Sequence, residues 1–222
     1  MGRGVGKGQS WIPANDRTYD PACIQTLITF RDNKTPMIQA PIAQPGDPAR
    51  NFSLKDQNDK TFDLYEQAGK RVLLSFHPLA WTEFCAAQML SLEKNQETLA
   101  SLNCVPVGIS VDSRPCKQAW AKSLGIAKTP LLCDFWPHGA VAMKYGIFRD
   151  ENGFSERANI IVDGKQKVVF VKVYPVHSVP DIGEIIAFLG REFSGSKLRG
   201  APASGHSENL RVLLASHPFG IR

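Results

Sequence analysis

Pro78-Leu-Ala-Trp-Thr82-Glu-Phe-Cys85 is the stretch that decides the reading of this 222-residue chain. It sets one cysteine at a helix start, with a threonine three residues before it and a proline four residues before that. Upstream, Val72-Leu-Leu-Ser-Phe76 is a short apolar run of the buried-strand kind, closed by Pro78. Downstream, Met89, Leu90, Leu92, Leu99 and Leu102 lie on a segment rich in Ala, Gln, Glu and Leu, which predicts a helix over about 83–102. A thiol in the first turn of a helix faces unpaired backbone N–H groups and the positive end of the helix dipole. Both favour thiolate over thiol, and the arrangement makes a nucleophile.

Outward from that stretch, strand and helix alternate. Asn51-Phe-Ser-Leu and Thr61-Phe-Asp-Leu flank Asn58-Asp59 and predict a hairpin. After the 83–102 helix come a strand over 105–111, a helix over 114–124, a short strand over 131–135 and a short helix over 140–145. Runs 158–162 and 168–173 around Asp163-Gly164 read as an antiparallel hairpin, and 181–192 as a closing helix. Strand–helix–strand followed by hairpin–helix is the order of a thioredoxin-like α/β fold: a central mixed β-sheet flanked by helices on both faces.

At 43% hydrophobic and 21% charged, the composition is that of an ordinary globular protein long enough for one substantial core. No apolar run approaches the ~18 residues of a membrane span. The net charge of +5 sits in the ends: residues 1–36 carry +2 and 195–222 carry +3, which leaves 37–194 balanced at 17 basic and 17 acidic side chains. Without a basic block interleaved with aromatics, nucleic acid is not an expected partner. Residues 1–36 are Gly-rich at first and without period, so they read as an N-terminal extension outside the core. The expected domain spans 37–193, and 194–222 reads as a flexible tail in which 210–215 could form a short helix. Five cysteines, an odd number without framework spacing, and an N-terminus lacking a continuous apolar stretch predict a reducing, cytoplasmic setting.

The pattern Pro78-x-x-x-Thr82-x-x-Cys85 resembles the active-site signature of peroxiredoxins, in the alkyl hydroperoxide reductase/thiol-specific antioxidant family. A second element supports the resemblance: in Ser155-Glu-Arg157-Ala-Asn-Ile-Ile-Val-Asp-Gly164 an arginine opens an apolar strand that ends in a turn. So do the family-like stretches Asp47-Pro-Ala-Arg-Asn-Phe-Ser-Leu54, Gly108-Ile-Ser-Val-Asp112-Ser and Leu132-Cys-Asp-Phe-Trp-Pro-His-Gly139. The resemblance implies a thiol peroxidase acting on hydrogen peroxide or organic hydroperoxides, with no metal or other cofactor. Cys85 would attack one peroxide oxygen and expel the other. A free thiol, with a pKa of about 8.5, is only slightly ionised near neutrality, so the site must hold negative charge on sulfur and on the leaving oxygen. By resemblance, Arg157 would donate to thiolate and peroxide, the Thr82 hydroxyl would bond sulfur and an incoming oxygen, and Pro78 would shape and shield the pocket. His77 and Trp81 are read as pocket wall.

Attack leaves a sulfenic acid that a second thiol must resolve. The typical two-Cys class of the family carries its resolving cysteine near the C-terminus, but here no cysteine follows Cys133. Cys116, in the capped helix start Ser113-Arg-Pro-Cys116 beside Arg114 and Lys117, is the internal candidate, in an atypical two-Cys mechanism. Its alternative is an inert thiol, with Cys85 resolved by an external one as in a one-Cys enzyme. Cys104 and Cys133 read as core, Cys23 lies in the extension, and a zinc site from Cys133 and His138 lacks further ligands. Reductants would be thioredoxin, glutaredoxin or a small thiol, and the family implies a homodimer or larger homo-oligomer. A Cys-x-x-Cys oxidoreductase is opposed by Gln88 at the second cysteine's place. A redox sensor or holdase on the same scaffold is the non-enzymatic alternative.

Overall fold

The computed structural model describes residues 39–199. The 1–36 extension with Cys23, most of the 194–222 tail and the short helix expected at 210–215 lie outside the described residues. A hairpin of β1 (Ser53–Lys55) and β2 (Thr61–Asp63) leads through a 3-10 turn at Tyr65–Gln67 into β3 (Arg71–Phe76). Then follow α1 (Glu83–Lys94), α2 (Gln96–Ser101), β4 (Cys104–Ser110), α3 (Arg114–Leu124), β5 (Leu131–Cys133) and α4 (Ala140–Lys144). The two-residue strands β6 (Phe148–Arg149) and β7 (Phe154–Ser155) form a small hairpin. β8 (Arg157–Val162), β9 (Val168–Tyr174) and α5 (Ile182–Arg199) complete the described fold.

The central sheet runs β5-β4-β3-β8-β9, with β5, β4 and β3 parallel and β8 and β9 antiparallel. Strand residues alternate between two faces. Val72, Leu74, Phe76, Ile160 and Val162 point into one apolar cluster with Phe52, Phe62, Val141 and Tyr145. Leu73 and Ile161 point into the other, where α1, α2, α3 and α5 supply Met89, Leu99, Trp120, Ile185 and Leu189. Helices therefore cover both faces of a mixed sheet, as expected of the thioredoxin-like order.

Two features of this topology place the site. The C-terminal ends of the parallel strands β3, β4 and β5 lie along one edge of the sheet, so the loops after them are neighbours. Because β8 runs antiparallel to β3, with Ala158 paired to Phe76, its first residue Arg157 emerges at that same edge. Close packing of α1 on β4 depends on Gly108: a Cβ there would fall 2.3 Å from the Met89 sulfur.

Three elements differ from the sequence reading. The helix expected over 83–102 is two, broken at Asn95, whose ψ of 15° leaves the helical range and whose side-chain amide donates to the Ser91 carbonyl at 2.8 Å. The last helix continues to Arg199, past the Gly/Ser-containing point at which composition ends it. The β6–β7 hairpin was not expected, because two-residue strands carry no readable period.

Candidate active site

Cys85 is the third residue of α1, after Thr82 at the N-cap, and has no solvent-exposed surface. The first intrahelical bond runs from Ala86 N to the Thr82 carbonyl at 2.9 Å. The N–H groups of Glu83, Phe84 and Cys85 thus belong to the unpaired first turn. The chain enters this turn through Trp81, which is 58% exposed and held at φ 64°, in the left-handed region. Pro78 is buried just ahead of it.

Arg157, itself buried, lies beneath this helix start and donates from Nη2 to Cys85 Sγ at 3.3 Å. Its remaining donors are held in place. Nε and Nη2 bond the Val176 carbonyl at 3.0 and 2.8 Å, and Nη1 bonds Gln88 Oε1. The Gln88 amide donates in turn to Ser75 Oγ at 2.8 Å and the Phe76 carbonyl at 3.2 Å, and Ser75 Oγ donates to Asn159 Oδ1 at 2.8 Å. A buried guanidinium whose fork is pinned on two sides presents its third side to sulfur with little freedom, which is what electrostatic preorganisation requires.

The Gln88–Ser75–Asn159 brace is absent from the sequence reading, although each member leaves a trace there. Gln88 is three residues from Cys85 and so shares its helix face. Ser75 and Asn159 are polar residues inside apolar strand runs, and the β3–β8 register pairs them directly. Single polar residues in two distant strands acquire meaning only once that register is known.

Thr82 is exposed, and its hydroxyl donates to the Leu79 carbonyl at 3.1 Å. The hydroxyl proton is thus engaged within its own turn, while its lone pairs stay open to accept. His77 is wholly buried, its ring centroid 5.3 Å from that of Trp120, and neither ring nitrogen has a hydrogen-bond partner. Burial first, then the charges of Lys117 and Arg157, hold its pKa well below the ordinary value, so the ring is neutral and adds no third cation.

Cys116 occupies on α3 the position that Cys85 occupies on α1, third after an N-cap, here Ser113. The two are linked through Asp112, whose carboxylate accepts the Ala80 N–H at 2.8 Å and the Ser110 hydroxyl at 2.6 Å, while Cys116 Sγ lies 3.8 Å from its other oxygen. One carboxylate therefore ties the loop before Cys85 to the Cys116 thiol. Both cysteines are free thiols in this conformation. Cys104 is buried as expected, and burial pushes its thiol up to about 12. Cys133 departs from the core position expected of it: it closes the edge strand β5 and is only half-buried.

Beside these thiols Lys117 is completely buried, its ammonium donating to the Leu132 carbonyl at 2.5 Å. Desolvation is the main cause that draws its pKa from 10.5 down to about 8, against the pull of Cys133, Asp112, Asp134 and Cys116. Between those values the unfolded chain binds a proton that the folded chain does not, so stability rises with pH across the window from about 8 to 10.5. Lys117→Met removes this term. Denaturant titrations at pH 7 and pH 11 should show the parent gaining about 3 kcal/mol relative to the variant at the higher pH; equal pH dependence would refute the assignment. Among the described residues no group of His, Cys, Asp or Glu could hold a metal ion, and no helix is long and apolar enough to cross a membrane.

The chain matches the family model of the AhpC/TSA family over residues 45–171. It is 35% identical over 137 residues to alkyl hydroperoxide reductase E of Mycobacterium tuberculosis, covering 61% of this chain and 89% of that protein. Peroxiredoxin-1 of Gekko japonicus is 32% identical over 118 residues, 50% of this chain and 58% of its own length. Among solved structures, Enterococcus faecalis AhpC superimposes with a TM-score of 0.65 at 20% identity, over 72% of this chain and 98% of its own. The reduced 2-Cys peroxiredoxin of Plasmodium vivax gives 0.63 at 24%, over 72% and 88%. The family-model match over 45–171, with these relatives and this fold, places the chain in the AhpC/TSA family as a peroxiredoxin, a thiol-dependent peroxidase.

Proposed function

We propose that Cys85 is the peroxidatic thiol and that Cys116 resolves it within the same chain, in an atypical two-Cys cycle. The observation that carries the first half is the Arg157 Nη2 contact with Cys85 Sγ at 3.3 Å inside a buried pocket. The Cys85 thiolate attacks the nearer oxygen of hydrogen peroxide or an organic hydroperoxide, the O–O bond breaks, and the departing oxygen takes a proton to leave as water or alcohol. Arg157 and the unpaired N–H groups of the first turn of α1 face the negative charge as it spreads from sulfur to the leaving oxygen. Thr82, at the rim, offers its lone pairs to the peroxide O–H, and buried Pro78 closes the pocket on a side where a backbone N–H would admit water.

Resolution follows when the Cys116 thiol attacks the sulfur of Cys85 sulfenic acid, forming a disulfide and releasing water. The shared Asp112 carboxylate supports this pairing, because it keeps Cys116 against the loop that carries Cys85. A dithiol such as thioredoxin or glutaredoxin, or a small thiol, then reduces the disulfide. A chemistry that starts from a free thiol suits a reducing compartment such as the cytoplasm, and a homodimer is the assembly expected of the family.

Intact mass after one equivalent of peroxide tests the cycle. The parent should lose two hydrogens, whereas Cys116→Ser should gain one oxygen on Cys85. An equal oxygen gain in both proteins would make Cys116 a bystander and the enzyme one-Cys, with an external thiol as resolver.

A further inference from the structure

We propose that Cys133 is a relay thiol: it takes over the disulfide from Cys85 by exchange, so that oxidising equivalents leave the site as a Cys116–Cys133 pair. This rests on the reading of Cys116 as resolver and extends it. The relay explains a cluster that peroxide reduction alone does not use.

The topology brings the two thiols together. Cys133 is the register partner of Ser110 across the parallel β4–β5 pair, so both side chains point to the same face of the sheet. That face is the one under α3, since Leu131, two residues earlier in β5, packs with Trp120 while Leu132 enters the opposite cluster. From Ser110 the hydroxyl reaches Asp112 at 2.6 Å, and the other oxygen of that carboxylate lies 3.8 Å from Cys116 Sγ. Lys117, next to Cys116 in the chain, bonds the carbonyl of Leu132, next to Cys133. Two half-buried thiols therefore flank one buried amine and one carboxylate. Cys104 takes no part, because it opens β4 and Ser110 closes it, which puts about 20 Å of strand between them.

The exchange balances without an added oxidant. The half-buried Cys133 thiol gives its proton to solvent water, the Lys117 ammonium favouring the thiolate, as its sulfur attacks Cys116. The Cys116–Cys133 bond forms, the Cys85–Cys116 bond breaks, and Cys85 leaves as a thiolate. The electron pair of the broken bond leaves with Cys85. The Cys133 sulfur is oxidised to the disulfide level as the Cys85 sulfur is reduced to thiolate, and the chain as a whole is neither oxidised nor reduced further. Direction follows from the environments. Arg157 awaits the departing Cys85 thiolate, and a thiolate stabilised by its site is the better leaving group. Burial holds the Cys133 thiol up, with Lys117 as the opposing influence, so it is slow toward peroxide itself yet intrinsically nucleophilic once deprotonated. Lys117, completely buried and bonded to the carbonyl next to Cys133, places a positive charge that favours the Cys133 thiolate. The product disulfide lies outside the sealed Cys85 pocket, where a protein reductant reaches it while Cys85 is already free for the next peroxide.

Acid quench after one equivalent of peroxide, alkylation of remaining thiols and tandem mass spectrometry of non-reduced peptides test the relay. Cys104 and Cys116 share the tryptic peptide 95–117, so fragmentation must separate them. The parent should show Cys85–Cys116 first and Cys116–Cys133 later, with Cys85 returning as an alkylatable thiol. Cys133→Ser should stop at Cys85–Cys116, with complete loss of the second pair. A Cys85–Cys116 bond that persists in the parent while Cys133 stays alkylated overturns the relay and leaves the resolver reading standing. Cys85 carrying oxygen alone, or bonded to Cys133 or Cys23 with Cys116 alkylated, overturns both.

Discussion

Cys85→Ser should bring peroxide consumption down to the uncatalysed rate, a loss on the order of 10⁶-fold or more. The substitution exchanges one atom in a fully buried position, and serine keeps a group able to accept from Arg157. A hydroxyl, however, neither ionises near neutrality nor attacks an O–O bond. Cys85 accepts from the Arg157 guanidinium, whereas burial raises the thiols of Cys104 and Cys133. Stopped-flow peroxide consumption is the measurement, with thermal unfolding to show that the fold is kept. Activity retained by a folded variant would remove Cys85 from the reaction.

Arg157→Met should lower the second-order rate constant with peroxide by about 10²–10³-fold, the loss typical of removing a preorganised donor from a developing negative charge. Methionine fills the volume but leaves Cys85, Gln88 and the Val176 carbonyl without their shared donor. Arg157→Lys should recover only part of the rate, because an ammonium cannot bond three groups at fixed angles as the guanidinium fork does. The graded order of arginine, lysine and methionine distinguishes charge placement from simple loss of packing. Equal rates in the lysine and methionine variants, with both folded, would assign Arg157 a structural role instead.

Much of this was legible before any coordinates. The 3.6-residue period and the proline–glycine punctuation give α3 its observed bounds, 114–124. The strand-opening arginine meets the helix-start cysteine because β8 runs back alongside β3. What stayed hidden depends on register and on edges. Gln88 had meaning in the sequence chiefly as the absence of a second cysteine, yet it braces the arginine that donates to Cys85. Cys133 has the neighbours of a core strand residue, but β5 is the sheet's edge and leaves it half-open. The break at Asn95 escaped because apolar residues recur on both sides of it, while the bond from its side chain to the Ser91 carbonyl accompanies the break.

Trp81 stores strain at the entry to α1. A bulky residue in left-handed backbone conformation is disfavoured by roughly 1–2 kcal/mol, and here it stands four residues before the thiol that the proposed cycle brings out of its buried site to meet Cys116. When the start of α1 frays, that strain is released, offsetting part of the free energy lost as the turn opens. In the proposed cycle the closed form would then hold that tension until the helix start yields, with Trp81 as the residue that lowers the cost of yielding.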